Sequence, residues 1–246
     1  MKSGDRRLEG KVALVTGGSR GYGAGIAESL AREGALVWVT ARAEAALLNT
    51  ADRIGARAVA ADVTVGADWD RVFASIMAAH GRLDILVNNA GAGIHIAPVV
   101  ELSDDDVTRS IAVNLTGAIL GCRRAAAVML RQKGGTIVNI SSVCAIEAWP
   151  SYGPYSAAKA GLLQFTKCLY AELRPAGARA TCIIPSWGPT DFARAANQKP
   201  FDAETAARCI QPLEMGDVVV HACCLPAHLV IPELVLLPLL QEIEPL

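Results

Sequence analysis

A tyrosine and a lysine lie four residues apart in the stretch Tyr155-Ser156-Ala157-Ala158-Lys159. In an α-helix this spacing places both side chains on one face. A free phenol has a pKa of about 10, and a neighbouring ammonium stabilises the phenolate and lowers that pKa. The pair is therefore suited to proton transfer near neutral pH. A packed ring beside a solvated ammonium explains the same spacing, so the pair alone does not separate chemistry from structure.

A glycine-rich turn near the N-terminus is a second candidate for chemistry. The segment from Thr16 to Gly23 reads TGGSRGYG and follows an apolar, β-branched run. Glycines at 17, 21 and 23 allow the backbone to turn sharply and to approach a pyrophosphate, which the amides and dipole of a following helix would stabilise. A plain loop has the same composition, but the position directly after the first predicted strand favours nucleotide binding.

Strand-like and helical patterns alternate along the whole chain. The predicted strands are residues 12–16, 35–40, 56–61, 85–88, 136–141, 179–184 and 233–237. The predicted helices are residues 23–33, 44–53, 67–80, 104–132, 154–175 and 203–224. This alternation predicts an α/β fold with a mostly parallel sheet wound in both directions, in which ligands bind beyond the carboxyl ends of the strands. The loops at 91–98, 144–153 and 187–200 are expected to meet at that edge.

Composition and charge exclude several classes of protein. The chain has 246 residues, of which 52% are hydrophobic and 19% charged, as expected for one domain with a large core. Its net charge of −1 gives no basic field to attract nucleic acid or an anionic membrane. Prolines and charged residues interrupt the apolar region 218–240, so no membrane helix is predicted there. The first ten residues lack the apolar segment of a signal peptide, so a cytoplasmic location is expected.

Seven cysteines occur without the Cys-x-x-Cys spacing of zinc or redox sites. Their number is odd, which suits reduced thiols better than a disulfide framework. We therefore predict neither structural disulfides nor a bound metal. The cysteines are at positions 122, 144, 168, 182, 209, 223 and 224.

Six motifs in unbroken order resemble the classical short-chain dehydrogenase/reductase family. They are the glycine turn at 16–23, Asp62-Val63, Asn88-Asn89-Ala90-Gly91, Asn114, Asn139-Ile140-Ser141-Ser142, and Tyr155 with Lys159. The resemblance covers about residues 8–195. It implies a single-domain Rossmann-like fold over residues 1–246, with a doubly wound parallel sheet, helices on both faces and a variable substrate loop at about 187–203.

The resemblance also implies a catalytic role for Asn114, Ser142, Tyr155 and Lys159. Tyr155 would protonate the alkoxide that forms on hydride transfer, and Lys159 would lower the phenol pKa and hold the nicotinamide ribose. Ser142 would orient the carbonyl oxygen. The backbone of Asn114 would hold a water that links the lysine to solvent, and its side chain would stabilise a helix kink. Simple strand-end capping by Ser142 and a polar helix position at Asn114 are the structural alternatives.

A nicotinamide dinucleotide is the cofactor that the resemblance implies. The expected contacts are Gly17, Ser19, Arg20, Gly21, Tyr22, Arg42, Asp62, Val63, Asn89, Ala90, Gly91, Tyr155, Lys159, Pro185, Gly188 and Thr190. Enzymes that select NAD commonly carry a carboxylate at the end of the second strand. Here that position is Ala41, followed by Arg42, with Arg20 in the glycine turn. Two guanidinium groups without an acid favour NADP(H) over NAD(H), unless both are solvated surface residues.

Two segments depart from the family pattern. Ser186 replaces a common glycine, and Trp187 adds bulk beside the expected nicotinamide position. Tyr22 replaces an aliphatic residue in the glycine turn. The expected substrate contacts are His95, Glu147, Trp149 and Trp187, although the first two could be rim residues and the tryptophans core or subunit contacts.

We therefore expect an NADPH-dependent reductase of a small ketone, aldehyde, hydroxy acid or polyol. The segment Pro232 to Pro238 resembles the ending of members that act on hydroxy acids, amino alcohols or polyols. A 3-oxoacyl-thioester reductase, an epimerase or dehydratase with bound nucleotide, and a non-catalytic nucleotide-binding regulatory protein are the alternatives. Because the family pairs the helices equivalent to 104–132 and 154–175, a homodimer or homotetramer is expected.

Overall fold

A computed structural model describes residues 6–196 and 199–241. The strands are β1 (Val12–Thr16), β2 (Leu36–Ala41), β3 (Arg57–Ala60), β4 (Ile85–Asn88), β5 (Gly135–Ile140), β6 (Ala178–Pro185) and β7 (Glu233–Leu236). They form one sheet in the order β3-β2-β1-β4-β5-β6-β7, and every neighbouring pair is parallel. The order reverses at β1 and β4, so the doubly wound Rossmann-like fold predicted from the sequence is confirmed.

Helices cover both faces of the sheet. They are α1 (Gly21–Arg32), α2 (Glu44–Ile54), α3 (Gly66–His80), α4 (Asp104–Ile111), α5 (Gly117–Gln132), α6 (Gly153–Leu173), α7 (Phe192–Ala195), α8 (Ala203–Arg208) and α9 (Pro212–Cys223). One buried cluster joins β1, β2 and β4 to α1, α2 and α9. A second joins the other face of the sheet to α3, α5 and α6. Burial on both faces explains the nearly continuous apolar runs of the central strands.

The sequence predicted one continuous helix over residues 203–224, and this prediction is wrong. The chain forms two helices, α8 and α9, separated by the extended residues around Gln211. Proline is favoured in the first turn of a helix and disrupts its interior, and Pro212 accordingly begins α9. Gln211 and Glu214 form a capping box at that start. The short helix α7 was not predicted and lies within the expected loop 187–203, of which residues 197 and 198 lie outside the described residues.

The predicted helix 104–132 is continuous but contains a π-helical turn at Ala112–Thr116 between α4 and α5. Ser103 and Asp106 form a capping box at its start. By length and hydropathy this stretch could cross a membrane, and no other stretch in the described part of the chain meets that test. The core helices of soluble proteins have the same length and hydropathy. Residues such as Cys122, Ala125 and Met129 are buried in the second cluster.

Parallel pairing brings the carboxyl ends of the central strands to one edge of the sheet. Asn88 at the end of β4 pairs with Asn139 of β5, and Ile140 pairs with Ile183 of β6. The loops that follow β1, β4, β5 and β6 therefore leave the sheet side by side. These loops carry the glycine turn and the expected substrate contacts.

Candidate active site

A cavity of about 940 Å³ opens at the carboxyl edge of the sheet. Its volume is at the upper end of the range of about 300–1,000 Å³ for ligand sites. Most of the site residues expected from the sequence line it: Gly17, Ser19, Arg20, Gly21, Tyr22, Arg42, Asp62, Val63, Asn89, Ala90, Gly91, Ser142, Trp149, Tyr155, Lys159, Pro185, Trp187, Gly188 and Thr190. Asn114, His95 and Glu147 do not line it.

The glycine turn has the geometry of an anion site. Gly17 adopts a φ of +67°, and a side chain at Gly23 would collide with the carbonyl oxygen of Gly17. Helix α1 starts at this turn, and its N-cap residue Arg20 makes no side-chain cap hydrogen bond. The leading amides of α1 and the positive end of its dipole therefore suit a pyrophosphate. The turn is held to β4 because the Asn89 side-chain amide donates to the carbonyl of Thr16 over 3.0 Å.

Two arginines and two aspartates surround the outer part of this end of the cavity. The Arg42 Nη1 atom lies 3.9 Å from Asp62 Oδ2, and Arg20 Nη1 lies 3.3 Å from Asp191 Oδ2. The Arg42 side chain is 70% exposed, so its ion pair with Asp62 is weak. The position at the end of β2 is Ala41, which offers no carboxylate to repel a phosphate. The two guanidinium groups suit a phosphate, so Arg20 and Arg42 are the residues that would hold the adenosine end of a nicotinamide dinucleotide.

Tyr155 and Lys159 lie in the first two turns of α6 and are buried. The Lys159 Nζ atom lies 5.7 Å from the centroid of the Tyr155 ring. It also donates a hydrogen bond to the carbonyl oxygen of Ile140 over 2.9 Å. The Tyr155 hydroxyl is hydrogen-bonded to the side chain of Ser142, which follows β5. A phenol, a hydroxyl and an ammonium thus meet at the centre of the cavity, as the sequence predicted.

Burial controls the protonation of this group. Burial lowers the pKa of Lys159 to about 8, so in most molecules the Lys159 amine is still protonated at pH 7. Burial also raises the pKa of Tyr155 well above its usual value, and the hydrogen bond with Ser142 opposes this only in part. Burial therefore outweighs the lowering of the phenol pKa that was expected from Lys159, and the net shift is upward. A buried phenol of this kind is protonated at neutral pH and could donate its proton to an alkoxide.

Asn114 lies beside the cavity, at the π-helical turn, and is fully buried. Its side-chain amide donates to the carbonyls of Ser110 (3.0 Å) and Ala92 (2.8 Å), and its Oδ1 accepts from the Ala92 amide (3.0 Å). It therefore satisfies a carbonyl at the irregular turn and fixes the loop that follows β4. π-Turns of this kind are frequent at functional sites. The helix irregularity expected at Asn114 is present in the structure.

Aromatic rings line the opposite end of the cavity. The ring centroids of Trp149 and Tyr152 lie 6.5 Å apart, those of Tyr152 and Tyr155 6.1 Å, and those of Tyr155 and Phe192 5.2 Å. We call these four residues the aromatic wall. Trp187 and Phe201 form a further pair at 5.4 Å. The sequence analysis missed Tyr152, Phe192 and Phe201. Tyr152 precedes Tyr155 by three residues, a spacing that could have identified it.

Two expected substrate contacts lie elsewhere. The His95 Nδ1 atom lies 3.2 Å from Asp106 Oδ2 at the start of α4. Hydrogen bonds from Ser103 and His95 lower the pKa of Asp106 to about 2, so the carboxylate is held as an anion by its own helix cap. Glu147 is half-buried, and its backbone amide donates to Val143 over 2.8 Å. Neither side chain lines the cavity in this structure.

Tyr22 connects the two sides of the cavity. Its hydroxyl donates to the carbonyl oxygen of Ser186 over 3.4 Å, and its ring lies against Gly188, which has no room for a side chain. Burial raises the pKa of Tyr22 well above its usual value, so it remains a neutral donor. The unusual tyrosine of the glycine turn therefore packs on the equally unusual segment after β6. Tyr22 and Ser186, which both differ from the family pattern, are therefore hydrogen-bonded to each other.

Comparison with known proteins agrees with this geometry. Residues 11–200 match the family model for short chain dehydrogenases. The chain is 40% identical to the D-threitol dehydrogenase of Mycolicibacterium smegmatis over 187 residues. This alignment covers 74% of this chain and 72% of the relative. It is also 36% identical to the 3-oxoacyl-[acyl-carrier-protein] reductase of Salmonella typhimurium over 190 residues. This alignment covers 76% of this chain and 78% of the relative.

A solved structure has the same fold over nearly the whole length. A metagenomic short-chain oxidoreductase in complex with NADP superposes with a TM-score of 0.82 at 31% identity, covering 96% of this chain and 100% of the other. The match of the family model, the relatives and the order of the motifs around one cavity agree. The chain belongs to the short-chain dehydrogenase family.

Proposed function

We propose that the protein is an NADP(H)-dependent oxidoreductase that interconverts a carbonyl compound and a secondary alcohol. The observation that carries this proposal is the meeting of Ser142, Tyr155 and Lys159 in the cavity that begins at the glycine turn. A nucleotide-binding protein without turnover needs the glycine turn but has no use for a buried phenol beside an ammonium. Proton transfer to a developing alkoxide uses both.

Each residue has a defined task in carbonyl reduction. When bound, the nicotinamide supplies the hydride. Ser142 donates a hydrogen bond that orients the carbonyl oxygen toward Tyr155, and the Tyr155 hydroxyl gives its proton to that oxygen as negative charge develops. Lys159 stabilises the phenolate that remains, because its ammonium lies against the ring and is shielded from water. The backbone carbonyl of Ile140 fixes the position of the ammonium.

The same charges support a preference for NADP(H) over NAD(H). Arg42 and Arg20 lie where a 2′-phosphate would bind, and Ala41 leaves this end of β2 without a carboxylate. The related oxidoreductase with 31% identity was solved in complex with NADP. We expect a higher kcat/KM with NADPH than with NADH when both are assayed with one ketone. Equal values would contradict the preference without affecting the reaction class.

Replacement of Tyr155 by phenylalanine tests the mechanism. The ring stays and only the proton donor is lost, so we expect kcat to fall by about a hundred- to ten-thousandfold. The affinity for NADPH, measured by quenching of protein fluorescence, should change less than about threefold. Tyr170→Phe, farther along the same helix, partly buried against the second cluster and away from the cavity lining, is the matched control and should retain wild-type kcat. A Tyr155→Phe enzyme with near-wild-type turnover would refute the assignment.

A 3-oxoacyl-thioester reductase is the second candidate. The similarity to the Salmonella typhimurium reductase favours it. Its substrate carries a long anionic carrier, whereas the cavity has a single exposed lysine, Lys199, beside its aromatic end among the described residues. Assay of an acetoacetyl thioester beside a simple ketone separates the two candidates. A much higher kcat/KM for the thioester would favour the second.

We further propose that residues 1–246 form one domain that acts in the cytoplasm as a homodimer or homotetramer. Exposed apolar residues on the α4 and α5 helices, Val107 and Leu130, are consistent with pairing of these helices between subunits. Light scattering of the purified protein measures the assembled mass. A monomer at micromolar concentration would contradict this part of the proposal.

A further inference from the structure

The aromatic wall is a row of four neighbouring rings that includes the proton donor itself. Tyr155 is its third ring, with Tyr152 on one side at 6.1 Å and Phe192 on the other at 5.2 Å. These centroid separations are within the range of about 4.5–7 Å at which aromatic rings stabilise one another. A substrate whose carbonyl reaches the Tyr155 hydroxyl therefore has its remaining atoms against aromatic faces and edges.

Phe192 is fixed at this position by the loop opposite. A side chain added to Gly93 would lie 3.0 Å from Phe192 Cζ and 2.7 Å from Ala196 Cβ. The start of α7 is thus packed directly on the backbone of the loop that follows β4. Phe192 is therefore held between Gly93 and Tyr155, with its ring against the ring of the proton donor.

The charged residues of the cavity are engaged elsewhere. Among the described residues, six charged side chains line it, namely Arg20, Arg42, Asp62, Lys159, Asp191 and Lys199. The first three belong to the glycine turn and the ends of β2 and β3. Asp191 pairs with Arg20, and Lys159 is buried and bonded to Ile140. Lys199 is exposed. The one buried cation among these residues, Lys159, already donates to Ile140, so a substrate carboxylate at the aromatic wall would find little to replace its hydration.

We infer that the site takes an uncharged ketone whose carbonyl is part of, or attached to, an apolar ring, and releases the corresponding secondary alcohol. This inference rests on the proposed function and narrows its substrate class. A carboxylate left unpaired at the aromatic wall loses several kcal/mol of solvation. A polyol offers no apolar ring to the aromatic wall, and a hydroxy acid brings the unpaired carboxylate. Both classes, which the C-terminal pattern favoured, are therefore expected to be poor substrates.

Ketones that differ in one group test the inference. The pair is 4-methylcyclohexanone and 4-oxocyclohexanecarboxylate, with erythrulose as the polyol, and NADPH oxidation is followed at 340 nm. We expect kcat/KM for the methyl ketone to exceed that for the carboxylate at least about a hundredfold, since each tenfold step corresponds to about 1.4 kcal/mol. Equal values, or a preference for the carboxylate or erythrulose, would overturn the substrate class and leave the reaction class intact.

A binding measurement keeps the inference independent of turnover. With NADP+ in place of NADPH the ketones cannot be reduced, so titration calorimetry gives the dissociation constant of each. Tighter binding of 4-methylcyclohexanone without any turnover would support the substrate class and refute the proposed function. Tighter or equal binding of 4-oxocyclohexanecarboxylate would refute the substrate class.

A variant of the wall locates the selectivity. In Phe192→Leu we expect the kcat/KM ratio of 4-methylcyclohexanone to acetone to fall about fivefold, since acetone has no ring to contact the wall. The Phe73→Leu change, in the core on α3, is the matched control and should leave the ratio unchanged. An unchanged ratio in Phe192→Leu would remove this residue from the substrate site.

Discussion

The two ends of the cavity are built from different parts of the chain. At the nucleotide end the backbone itself forms the surface, because Gly17 and Gly23 let the turn fold tightly on itself and on Asn89 without room for side chains. At the aromatic end the side chains form the surface, with rings contributed by two separate segments of the chain, residues 149–155 and the start of α7. The first end can bind a part common to many ligands, whereas the second can distinguish one substrate from another.

Lys159 lies between the two ends and serves both. Its ammonium lies 5.7 Å from the centroid of the Tyr155 ring on the aromatic side, and a side chain at Gly91 would lie 3.2 Å from its Nζ on the nucleotide side. Changes at this residue should therefore affect chemistry more than the changes at Gly23 and Arg42 of the nucleotide end. The predictions below begin there and proceed outward.

Replacement of Lys159 by methionine should produce the largest loss. The phenolate loses its counter-charge, so we expect kcat to fall by about a hundredfold or more. In the wild type the pKa of Lys159 is about 8. The rate of ketone reduction should therefore decline as the pH rises through about 8 and the ammonium is lost. Steady-state rates between pH 6 and 10 measure this decline. If Lys159→Met showed the same decline in its residual rate, another group would be its cause.

The titration of Lys159 should also change the stability of the protein, but in the opposite direction: stability should rise with pH where the rate falls. The pKa of Lys159 is lower in the folded protein than the ordinary 10.5, so the unfolded chain binds more protons between pH 8 and 10.5. The free energy of unfolding of the wild type, relative to Lys159→Met, should therefore rise with pH over this interval. Urea denaturation at pH 7.5 and 9.5 gives the difference. Burial raises the pKa of several cysteines in both proteins, so their effect largely cancels in the comparison.

Replacement of Gly23 by alanine alters the nucleotide end alone. The new methyl group would collide with the Gly17 carbonyl and crowd the Asn89 side chain. Overpacking of this kind costs about 1–3 kcal/mol. If the turn moves to accommodate it, NADPH affinity should fall about ten- to a hundredfold, as measured by fluorescence titration. Gly134→Ala, where the structure leaves open space, is the control and should bind NADPH normally. Normal affinity in Gly23→Ala would show that the turn does not need to be this tight.

The nucleotide end could be predicted from the sequence for the same reason that Gly23 is sensitive. Where the backbone forms the site, glycines occur at fixed spacing after a strand and mark the site directly. Tyr155 and Lys159 were identified from their spacing on one helix face, and Ser142 from the resemblance of the motif at 139–142 to that of the family. The strands and most helices followed from periodicity, with ends that differ by one or two residues.

The aromatic end could not be predicted in the same way. Phe192 belongs to a four-residue helix inside a loop, and its contact with Gly93 joins segments about a hundred residues apart. No local pattern encodes such a contact. His95 and Glu147 were expected at the substrate because their loops face the cavity, but one side chain pairs with a helix cap and the other does not line the cavity. The sign of the Tyr155 pKa shift was missed because burial is a property of the fold, not of the spacing.

Replacement of Arg42 by alanine should have the smallest effect and sharpens the view of the nucleotide end. A charge-assisted hydrogen bond contributes about 1.5–3 kcal/mol, and the high exposure of this arginine favours the lower figure. We expect kcat/KM with NADPH to fall about tenfold, while the value with NADH changes less than about threefold. Arg53→Ala removes the same charge from an exposed arginine on α2 that does not line the cavity, and it should alter neither value.

Equal losses with both cofactors would instead show that Arg42 binds a part of the dinucleotide that NADPH and NADH share. The preference for NADPH would then depend on Arg20. Because Arg20 is already paired with Asp191 in the segment before α7, that outcome would link cofactor choice to the loop that carries Phe192.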